Sequence, residues 1–337
     1  MSNKIEVYFV TSIIDDNIAS YRIWIKDLAK YFNELGIKTY VNKISDNIKN
    51  NAIIILGKSD VHKLQDYKKN YPNNLIGIIN PESGILYAAD FIIVGSIEEK
   101  DSLSINKNVF IFPLIENQYR KIAQKNHVDK EKIIIGVHGS YTHLFKFAPH
   151  LKKALEEFSK KINITLKINS NLPKKKWFNG KPSIHNVEIS DYNFKTFSSD
   201  LLNCDIGLVP NLTDNTPLLK ITSKTKGLYN TDYFFRMKNK SNSGRMFVFI
   251  QHGIPVIADI TPSNLHILGN PECGFAVFNK DGWLNALTEL SSAKVRNKIS
   301  RNALKEFNRL YDPIKWASNL ITNIQKIEKY VINNKKF

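Results

Sequence analysis

Short apolar segments alternate with amphipathic ones along most of this 337-residue chain, and the alternation limits its fold more than any other feature. In the first part of the chain, residues 5–12, 52–56, 75–79 and 91–94 are apolar runs of strand length. Residues 20–36 carry Ile and Leu at helical spacing. Strands that are apolar on both faces are typical of a parallel sheet covered by helices on both sides. The alternation therefore predicts an α/β fold built on parallel sheets.

The alternation starts twice, which predicts two domains. Right-handed β–α–β connections give a doubly wound, Rossmann-like domain over residues 1–118. A charged segment at 116–132, which we expect to be helical, leads to a second strand and glycine turn, IIIGVHG, at 133–139. A second Rossmann-like domain then covers residues 131–311. Residues 312–337 have apolar side chains at helical spacing, and we expect this helix to pack across the joint between the domains.

The charge of the chain narrows the class of partner without selecting one. There are 48 Lys and Arg against 31 Asp and Glu, and the resulting net charge of +17 is spread along the whole length. Such a balance suits nucleic acid, a sugar nucleotide, a lipid phosphate or a membrane surface alike. One basic and aromatic cluster, KKKWF at residues 174–178, is suited to contact an anionic leaflet. The alternative is a solvated loop whose tryptophan folds onto the domain.

Cysteine content and hydropathy favour a reduced, cytoplasmic protein. The two cysteines, Cys204 and Cys273, lie in apolar surroundings, so neither a disulfide framework nor a zinc site is predicted. No apolar run approaches the roughly 18–20 residues that cross a bilayer, and the N-terminus lacks a signal-peptide pattern. The histidines have no ligand-like spacing and no Asp-x-Asp occurs, so we expect no metal and no other cofactor.

A polar turn at residues 241–244, followed by the apolar run 246–250, predicts an anion site at a helix N-terminus. Ser243 is suited to cap this helix with its hydroxyl. The free backbone N–H groups and the positive end of the helix dipole attract an anion. Arg245, in the first turn, adds a group that can grip a phosphate with two hydrogen bonds. The alternative is an ordinary helix–strand connection with a surface arginine.

Three pieces of the second half, in this order and spacing, resemble a known family. They are IIIGVHGSYTHLFKFAPHLKKALEEF at residues 133–158, CDIGLVPN at 204–211, and RMFVFIQHGIPVIADITPSNLHIL at 245–268 with CGFAVFN at 273–279. These pieces resemble the donor domain of GT-B glycosyltransferases. The resemblance is strongest to the retaining, family 4-like transferases that build bacterial surface polysaccharides, and it is weaker in the first domain.

The resemblance implies a fold and a reaction. The fold is two Rossmann-like domains that face each other across a cleft, with the C-terminal helix crossing the domain joint. The reaction is metal-independent, retaining transfer of a sugar from a nucleotide-sugar donor to a growing cell-surface glycan, such as an O-antigen or a capsule. The acceptor is a glycan or a lipid-linked glycan, which implies a peripheral contact with the anionic inner face of the cell membrane. Nucleic acid is not an expected partner.

The resemblance and the chemistry of diphosphate release together indicate donor-site residues. Breaking the glycosidic bond builds charge on the phosphate oxygens, which positioned cations and helix N-termini stabilise without a metal. We expect Arg245 and Lys240 to be the catalytic cations, with Arg245 also binding the donor. The other predicted donor-binding residues are Gly139, Ser140, His143, Lys146, Asn211, Thr213, Ser243 and Gly244.

Several of these side chains have simpler interpretations. Lys146 lies where the family places a second cation, but its position also fits a solvated helix lysine. His138 and His143 flank the glycine turn and are suited to contact a sugar hydroxyl or to bond at the surface. Asp259 ends a strand at the same edge of the sheet as Asn211, and it either lines the site or caps the next helix.

The first domain is expected to hold the acceptor. Arg22 follows the first strand and lies near the start of the helix predicted at residues 20–36. This is the edge of the sheet where an anionic acceptor would bind. Glu82 is the only nearby carboxylate that could assist an acceptor hydroxyl, so it completes the predicted catalytic set. Retaining enzymes of this fold are thought to need no protein base, in which case no residue has that role.

One departure from the family leaves other functions open. The broad family has a glutamate pair at positions that are Lys240 and Val248 here, whereas KSNSGR at 240–245 resembles a sub-pattern of capsule and O-antigen transferases. The loss leaves the nucleotide base unassigned. It also admits a catalytically degenerate subunit that binds a nucleotide or glycan in a polysaccharide assembly complex. A sugar-nucleotide 2-epimerase and a nucleic-acid binder are further alternatives.

Overall fold

The computed structural model describes residues 5–43, 48–81, 88–103, 108–147, 149–171, 181–211 and 241–334. The chain divides into two compact units. The first unit is Met1–Asn117 together with Tyr311–Phe337, and the second is Gln118–Leu310.

The first unit is built on a six-stranded sheet in the order β2-β1-β3-β4-β5-β6, in which every described strand pair is parallel. The strands are β1 Glu6–Val10, β2 Lys38–Val41, β3 Ile53–Leu56, β4 Leu75–Ile79, β5 Phe91–Val94 and β6 Asn108–Ile111. The described helices are α1 Ala19–Tyr21, a π-helical turn Arg22–Asp27, α2 Leu28–Glu34, a 3-10 stretch Lys58–Lys63, α3 Leu64–Asn70, α4 Ile97–Asp101 and the C-terminal helix α11 Pro313–Asn334. Strands β1, β3, β4 and β5 are buried along their whole length, as the apolar runs predicted.

The C-terminal helix α11 belongs to the first unit. Its apolar face, Ala317, Leu320 and Ile324, is buried in the same core as Trp24 and Leu28. The two observed units divide the chain after Asn117 and after Leu310. The predicted domain bounds of 1–118, 131–311 and 312–337 stay predictions. The expectations that α11 crosses a domain joint and that the domains face a cleft stay predictions.

The second unit contains another six-stranded sheet, in the order β12-β11-β10-β7-β8-β9, and its described strand pairs are also parallel. The strands are β7 Lys132–His138, β8 Asn163–Asn169, β9 Asn186–Ser190, β10 Ile206–Val209, β11 Val256–Asp259 and β12 Phe275–Val277. The described helices are 3-10 stretches at Asn117–Tyr119 and Tyr141–Phe147, then α5 His150–Phe158, α6 Phe197–Leu202, α7 Gly244–Gln251, α8 Pro262–Leu268, α9 Lys280–Glu289 and α10 Ala293–Leu310.

The order of the second sheet creates one ligand-binding crevice. The chain runs from β7 to β8 and β9 on one side, and then returns to β10 on the other side of β7. In open parallel sheets the ligand binds where the order reverses, at the carboxyl ends of the two strands. Here those ends are His138 of β7 and Val209 of β10.

The predicted helix at 116–132 is wrong. Among the residues of this segment, the structure has only the 3-10 turn Asn117–Tyr119 before β7 begins. The backbone N–H of Lys125 bonds to the His252 carbonyl oxygen (3.2 Å), and the N–H of His127 bonds to Asn297 Oδ1 (2.9 Å). These partners are distant in the sequence, so tertiary contacts override the local helix propensity.

Candidate active site

Arg245 lies in the first turn of α7, and its side chain reaches the carboxyl end of β10. Its Nη2 atom donates to the carbonyl oxygen of Pro210 (2.9 Å) and to Asn211 Oδ1 (2.5 Å). Both acceptors directly follow the end of β10 at Val209. The guanidinium group is thus held at the crevice where the strand order reverses, and its role as a donor-site cation stays a prediction.

The glycine turn after β7 lies beside the same side chain. Gly139 has a φ of +113°, and a Cβ atom there would lie 3.0 Å from Arg245 Cδ and 3.2 Å from His143 Cδ2. Its N–H donates to the Asn169 carbonyl oxygen at the end of β8 (3.2 Å). Only glycine fits this conformation and this approach, so the turn, Arg245 and His143 form one compact group.

Asn211 links Arg245 to Asp259 at the end of β11. The backbone N–H of Asn211 donates to Asp259 Oδ2 (2.7 Å), and both residues are buried. Asp259 therefore supports the loop after β10. The helix that follows β11 is capped by Thr261, whose Oγ1 accepts from the N–H of Asn264 (3.4 Å), so the predicted capping role of Asp259 is wrong.

Two donor atoms in this group have no hydrogen-bond partner among the described residues. They are Arg245 Nη1 and Asn211 Nδ2, and neither atom is accessible to solvent. Buried N–H groups are almost always paired in folded proteins, and an unpaired one indicates a missing acceptor. Each of these two N–H groups therefore lacks an acceptor among the described residues, at the edge of the sheet where a ligand would bind.

The electrostatics of the group favour an anion. Burial lowers the pKa of Arg245 to about 9, and the nearby Asp259 carboxylate partly opposes that shift. The guanidinium group is charged at neutral pH, and the hydrogen bonds of its Nη2 atom go to a carbonyl oxygen and an amide oxygen rather than to a carboxylate. Positive charge at the site is thus only partly compensated by the protein.

His138 holds the backbone of Arg245 in place. Its Nε2 donates to the Arg245 carbonyl oxygen (3.1 Å), and its ring packs edge-on against Phe197 and Phe249. Burial, together with the neighbouring Arg245 charge, lowers the pKa of His138 to about 3, so the ring is neutral at physiological pH. This histidine is a buried support for the site, and the surface role predicted as its alternative is wrong.

The start of α7 differs in detail from the prediction. The hydroxyl of Ser243 makes no capping bond to the helix and donates instead to Asn264 Oδ1 (3.0 Å). The N–H of Gly244 is bonded to Asn242 Oδ1 (3.2 Å). Asn242 therefore occupies the first N–H group that we predicted to be available for an anion, and the predicted side-chain cap at Ser243 is wrong.

The remaining predicted residues are only partly described. Ser140 is exposed in the glycine turn, and its carbonyl oxygen accepts from the N–H of His143 (2.9 Å). Lys146 lies in the 3-10 stretch Tyr141–Phe147, where its side chain is not described. Lys240, Thr213 and Glu82, like the cluster at 174–178, lie outside the described residues, so their roles stay predictions. Within the described ranges no group of His, Cys, Asp and Glu could hold a metal ion.

Arg22 in the first unit is not available to an acceptor. Its Nε and Nη2 donate to the two oxygens of Glu116 (3.2 and 2.5 Å), and Nη1 donates to the Asp16 carbonyl oxygen. Arg22 and Glu116 are both buried. The predicted contact of Arg22 with an anionic acceptor is therefore replaced by a structural ion pair that holds the loop after β1.

Sequence reasoning missed several supporting side chains at the carboxyl edges. Asn42 accepts from the Thr11 N–H and donates to the Thr11 carbonyl oxygen, while Asp60 accepts from the N–H of Ser12. In the second unit it missed the pairing of Asn211 with Asp259. The available signal was that each of these residues stands at or shortly after the end of an apolar strand.

Comparison with known proteins gives similarity to solved structures alone. No family model matches the chain, and no curated protein matches it. Sucrose-phosphate synthase from Thermosynechococcus elongatus aligns with a TM-score of 0.61 and 10% identity, over 96% of this chain and 99% of that one. TarM aligns with a TM-score of 0.57 and 13% identity over 88% of this chain. The pneumococcal O-GlcNAc transferase GtfA aligns with a TM-score of 0.53 and 9% identity over 83% of this chain.

The neighbours differ in length. The chain spans 57% of TarM and 58% of GtfA, so it corresponds to part of those two proteins. No helix in the described part of the chain is both long and apolar enough to cross a membrane.

The two parallel six-stranded sheets and the alignment with these enzymes confirm the predicted architecture. The chain has the α/β fold of the GT-B glycosyltransferases.

Proposed function

We propose that this protein is a glycosyltransferase that takes a sugar from a nucleotide-sugar donor, whose diphosphate binds at Arg245. The observation that carries the proposal is the pair of buried, unpartnered donors, Arg245 Nη1 and Asn211 Nδ2, at the carboxyl ends of β7 and β10. A diphosphate supplies several acceptor oxygens and two negative charges at the place where the fold binds ligands.

The geometry supplies what departure of a nucleoside diphosphate requires. As the glycosidic bond breaks, negative charge grows on the phosphate oxygen, and a fixed guanidinium group stabilises that charge. Pro210 and Asn211 fix Nη2, His138 fixes the backbone, and Gly139 leaves room beside the side chain. Because these contacts exist before the donor binds, little reorganisation accompanies the reaction.

The solved neighbours support the donor and acceptor classes. GtfA is described in complex with UDP and GlcNAc, and a Staphylococcus aureus TarM variant with fondaparinux, α-GlcNAc-glycerol and UDP. By analogy we propose a growing cell-surface glycan as the acceptor, with lipid-linked glycans included. Metal-independent, retaining transfer at the cytoplasmic face of the membrane, with Lys240 as second cation and Glu82 near the acceptor, is the finer form of the proposal.

A thermal-shift panel tests the donor site. UDP, GDP, CDP, ADP and CMP are added to wild type, Arg245→Ala and Arg309→Ala. Arg309 is an exposed arginine of α10, paired with Glu306, and serves as the matched control. A ligand that binds only the folded state raises the free energy of unfolding by about RT ln(1 + [L]/Kd), and the Tm rises as a result. One nucleotide should stabilise wild type and Arg309→Ala but not Arg245→Ala; equal shifts in all three would refute the site.

One observation favours a second function, a catalytically degenerate binding subunit. Helix α7 carries no acidic residue, and the position of the family's second glutamate is the buried Val248. This subunit would bind the same nucleotide without turnover. Incubating the matching nucleotide-sugar with acceptor glycan and measuring released nucleoside diphosphate separates the two functions. Binding without release over many hours supports the subunit, and release that Arg245→Ala abolishes supports the transferase.

A further inference from the structure

A groove of about 460 Å³ lies in the second unit, on the opposite edge of the sheet from Arg245. It runs between the extended segment around Lys125 and one face of α10. Lys125 Nζ donates to the carbonyl oxygen of Cys204, immediately before β10, and Gly253 in the groove wall precedes β11. The groove therefore lies where the strands begin, whereas the proposed donor site lies where they end. We call it the α10 groove.

One wall of the α10 groove is fixed to the end of α7. Gln124 Nε2 donates to the Gln251 carbonyl oxygen (2.9 Å), the Lys125 N–H to that of His252 (3.2 Å), and His127 Nε2 to that of Gly253 (2.9 Å). The last carbonyls of a helix carry partial negative charge that repels anions. Here three donors already occupy these carbonyls, so the repulsion is reduced.

The opposite wall is equally constrained. The Asn297 side chain of α10 accepts from the His127 N–H (2.9 Å) and donates to the His127 carbonyl oxygen (2.7 Å). Gly253 has a φ of +70°, and a Cβ there would lie 2.7 Å from Gln124 Oε1 and 3.0 Å from the Lys125 nitrogen. The groove is thus formed before any ligand binds, which reduces the entropic cost of binding.

The lining of the groove is cationic. Among the described residues the lining includes Lys125, Lys294 and Arg301 and no Asp or Glu. Lys125 is already paired with Asp205 (3.1 Å), but Lys294 and Arg301 have no carboxylate within 4.0 Å among the described residues. They stand about two turns apart on α10, on one face of the helix.

Two other cations of α10 do form ion pairs with carboxylates. Lys298 Nζ lies 2.8 Å from Glu272 Oε1, and Arg309 Nη2 lies 2.5 Å from Glu306 Oε1. Neither Lys298 nor Arg309 lines the groove. Lys294 and Arg301 are thus the cations of α10 that line the groove, and neither has an ion pair among the described residues.

We propose that the α10 groove is a second binding site, for a phosphate-bearing ligand. Its volume is that of a small-molecule site, which is usually about 300–1,000 Å³. A phosphate group carries about −1.5 to −2 charges at neutral pH and accepts several hydrogen bonds. Lys294 and Arg301 supply the charge, and Ser300 supplies a neutral polar group beside them. A soluble phosphate ester and the head group of an anionic phospholipid share this chemistry.

Calorimetric titration with inorganic pyrophosphate tests the site in the full chain. The groove variant is Lys294→Gln with Arg301→Gln, and the control is Lys298→Gln with Arg309→Gln, which removes the same charge from the same helix. We expect the groove variant to lose one class of binding site, with affinity at least about tenfold weaker, and the control to match wild type. Equal binding to both variants overturns the proposal.

The same titration on Arg245→Ala separates this site from the proposed donor site. If both exist, Arg245→Ala retains the groove site alone. If the donor site is wrong, Arg245→Ala binds like wild type, and the groove variant still loses its site. Lys294 and Arg301 are both exposed, so the groove variant should fold, and circular dichroism checks this. Single substitutions replace the double variant if it does not fold.

Co-sedimentation with vesicles distinguishes the two sources of phosphate. Wild type, groove variant and control are mixed with phosphatidylcholine vesicles that contain or lack phosphatidylglycerol. Loss of sedimentation only in the groove variant, and only with phosphatidylglycerol, identifies a lipid head group. Loss of pyrophosphate binding with unchanged sedimentation identifies a soluble ligand. If the groove variant loses neither, the site does not exist.

Discussion

Two buried arginines at the carboxyl edges of the two sheets have opposite surroundings. Arg22 in the first unit donates to both oxygens of Glu116, so its charge is balanced within the protein. Arg245 in the second unit bonds to a carbonyl and to the amide of Asn211, and one of its nitrogens has no partner in the described part of the chain. The difference teaches that location alone does not give the role of a buried arginine: the fold balances the charge of Arg22 with Glu116, whereas the two bonds of Arg245 Nη2 go to uncharged oxygens.

Removing the charge of Arg22 should have the largest effect on stability. Arg22→Ala leaves Glu116 buried without its partner, and breaking such a pair costs about 3–5 kcal/mol of unfolding free energy. Urea denaturation followed by circular dichroism measures the loss. The double variant Arg22→Met with Glu116→Leu should recover most of it, because no charge is then left unpaired. If Arg22→Ala unfolds at the wild-type urea concentration, the structural assignment of Arg22 fails.

Removing the charge of Arg245 should affect donor chemistry more than folding. Loss of one preorganised group that stabilises developing negative charge lowers turnover about 10²–10³-fold. The nearby Asp259 carboxylate keeps its hydrogen bond from the Asn211 N–H, whereas Glu116 loses its arginine partner, so the loss of stability should be smaller than in Arg22→Ala. Donor hydrolysis and urea denaturation are measured on both variants. Equal turnover in wild type and Arg245→Ala would remove the functional half of the comparison.

Two glycines with positive φ sharpen the comparison at the level of the backbone. Gly139→Ala should cost about 1–3 kcal/mol through strain and should displace Arg245, because the new Cβ would lie 3.0 Å from Arg245 Cδ. Gly36→Ala is the control, since Gly36 has a φ of +78° with open space around it. Both variants should lose stability, but only Gly139→Ala should weaken nucleotide binding. Equal affinities by titration calorimetry would contradict the contact.

The pH dependence of stability reports on His138 beneath Arg245. Its folded pKa of about 3 lies below the ordinary value of 6.5, so between these values the unfolded chain binds a proton that the folded chain excludes. Stability should therefore be full above about pH 6.5 and fall on acidification, by about 1.4 kcal/mol per pH unit for this group. The free energy of unfolding, measured by urea denaturation at pH 7, 6 and 5, should fall less steeply with pH in His138→Gln than in wild type. An unchanged slope would exclude His138 as its source.

Much of the fold could be predicted from the sequence, because buried parallel strands are marked by continuous apolar runs. The bounds of β4 at Leu75–Ile79 and of β5 at Phe91–Val94 were predicted to the residue. The helix predicted at 116–132 failed because its polar groups bond to α7 and α10, which are remote in sequence. No local pattern contains that information.

The candidate site was predictable only in its position. Strand ends placed Gly139, Asn211 and Arg245 at one edge, and the structure brings them together. That Asn211 orients the guanidinium group, and that His138 holds the Arg245 backbone, depends on side-chain directions across three strands and a helix. The hydroxyl of Ser243 likewise has two possible partners in the sequence, and only packing against α8 selects Asn264.

The membership of α11 in the first unit has a consequence for folding during synthesis. The second unit is one continuous segment, Gln118–Leu310, whereas the first needs residues from both sides of it. The six strands of the first sheet leave the ribosome early, but the face that buries Trp24 and Leu28 against Leu320 stays uncovered until the last helix is made. The nascent first unit therefore keeps apolar surface exposed, where chaperones can bind it, while the second unit is synthesised and becomes able to fold.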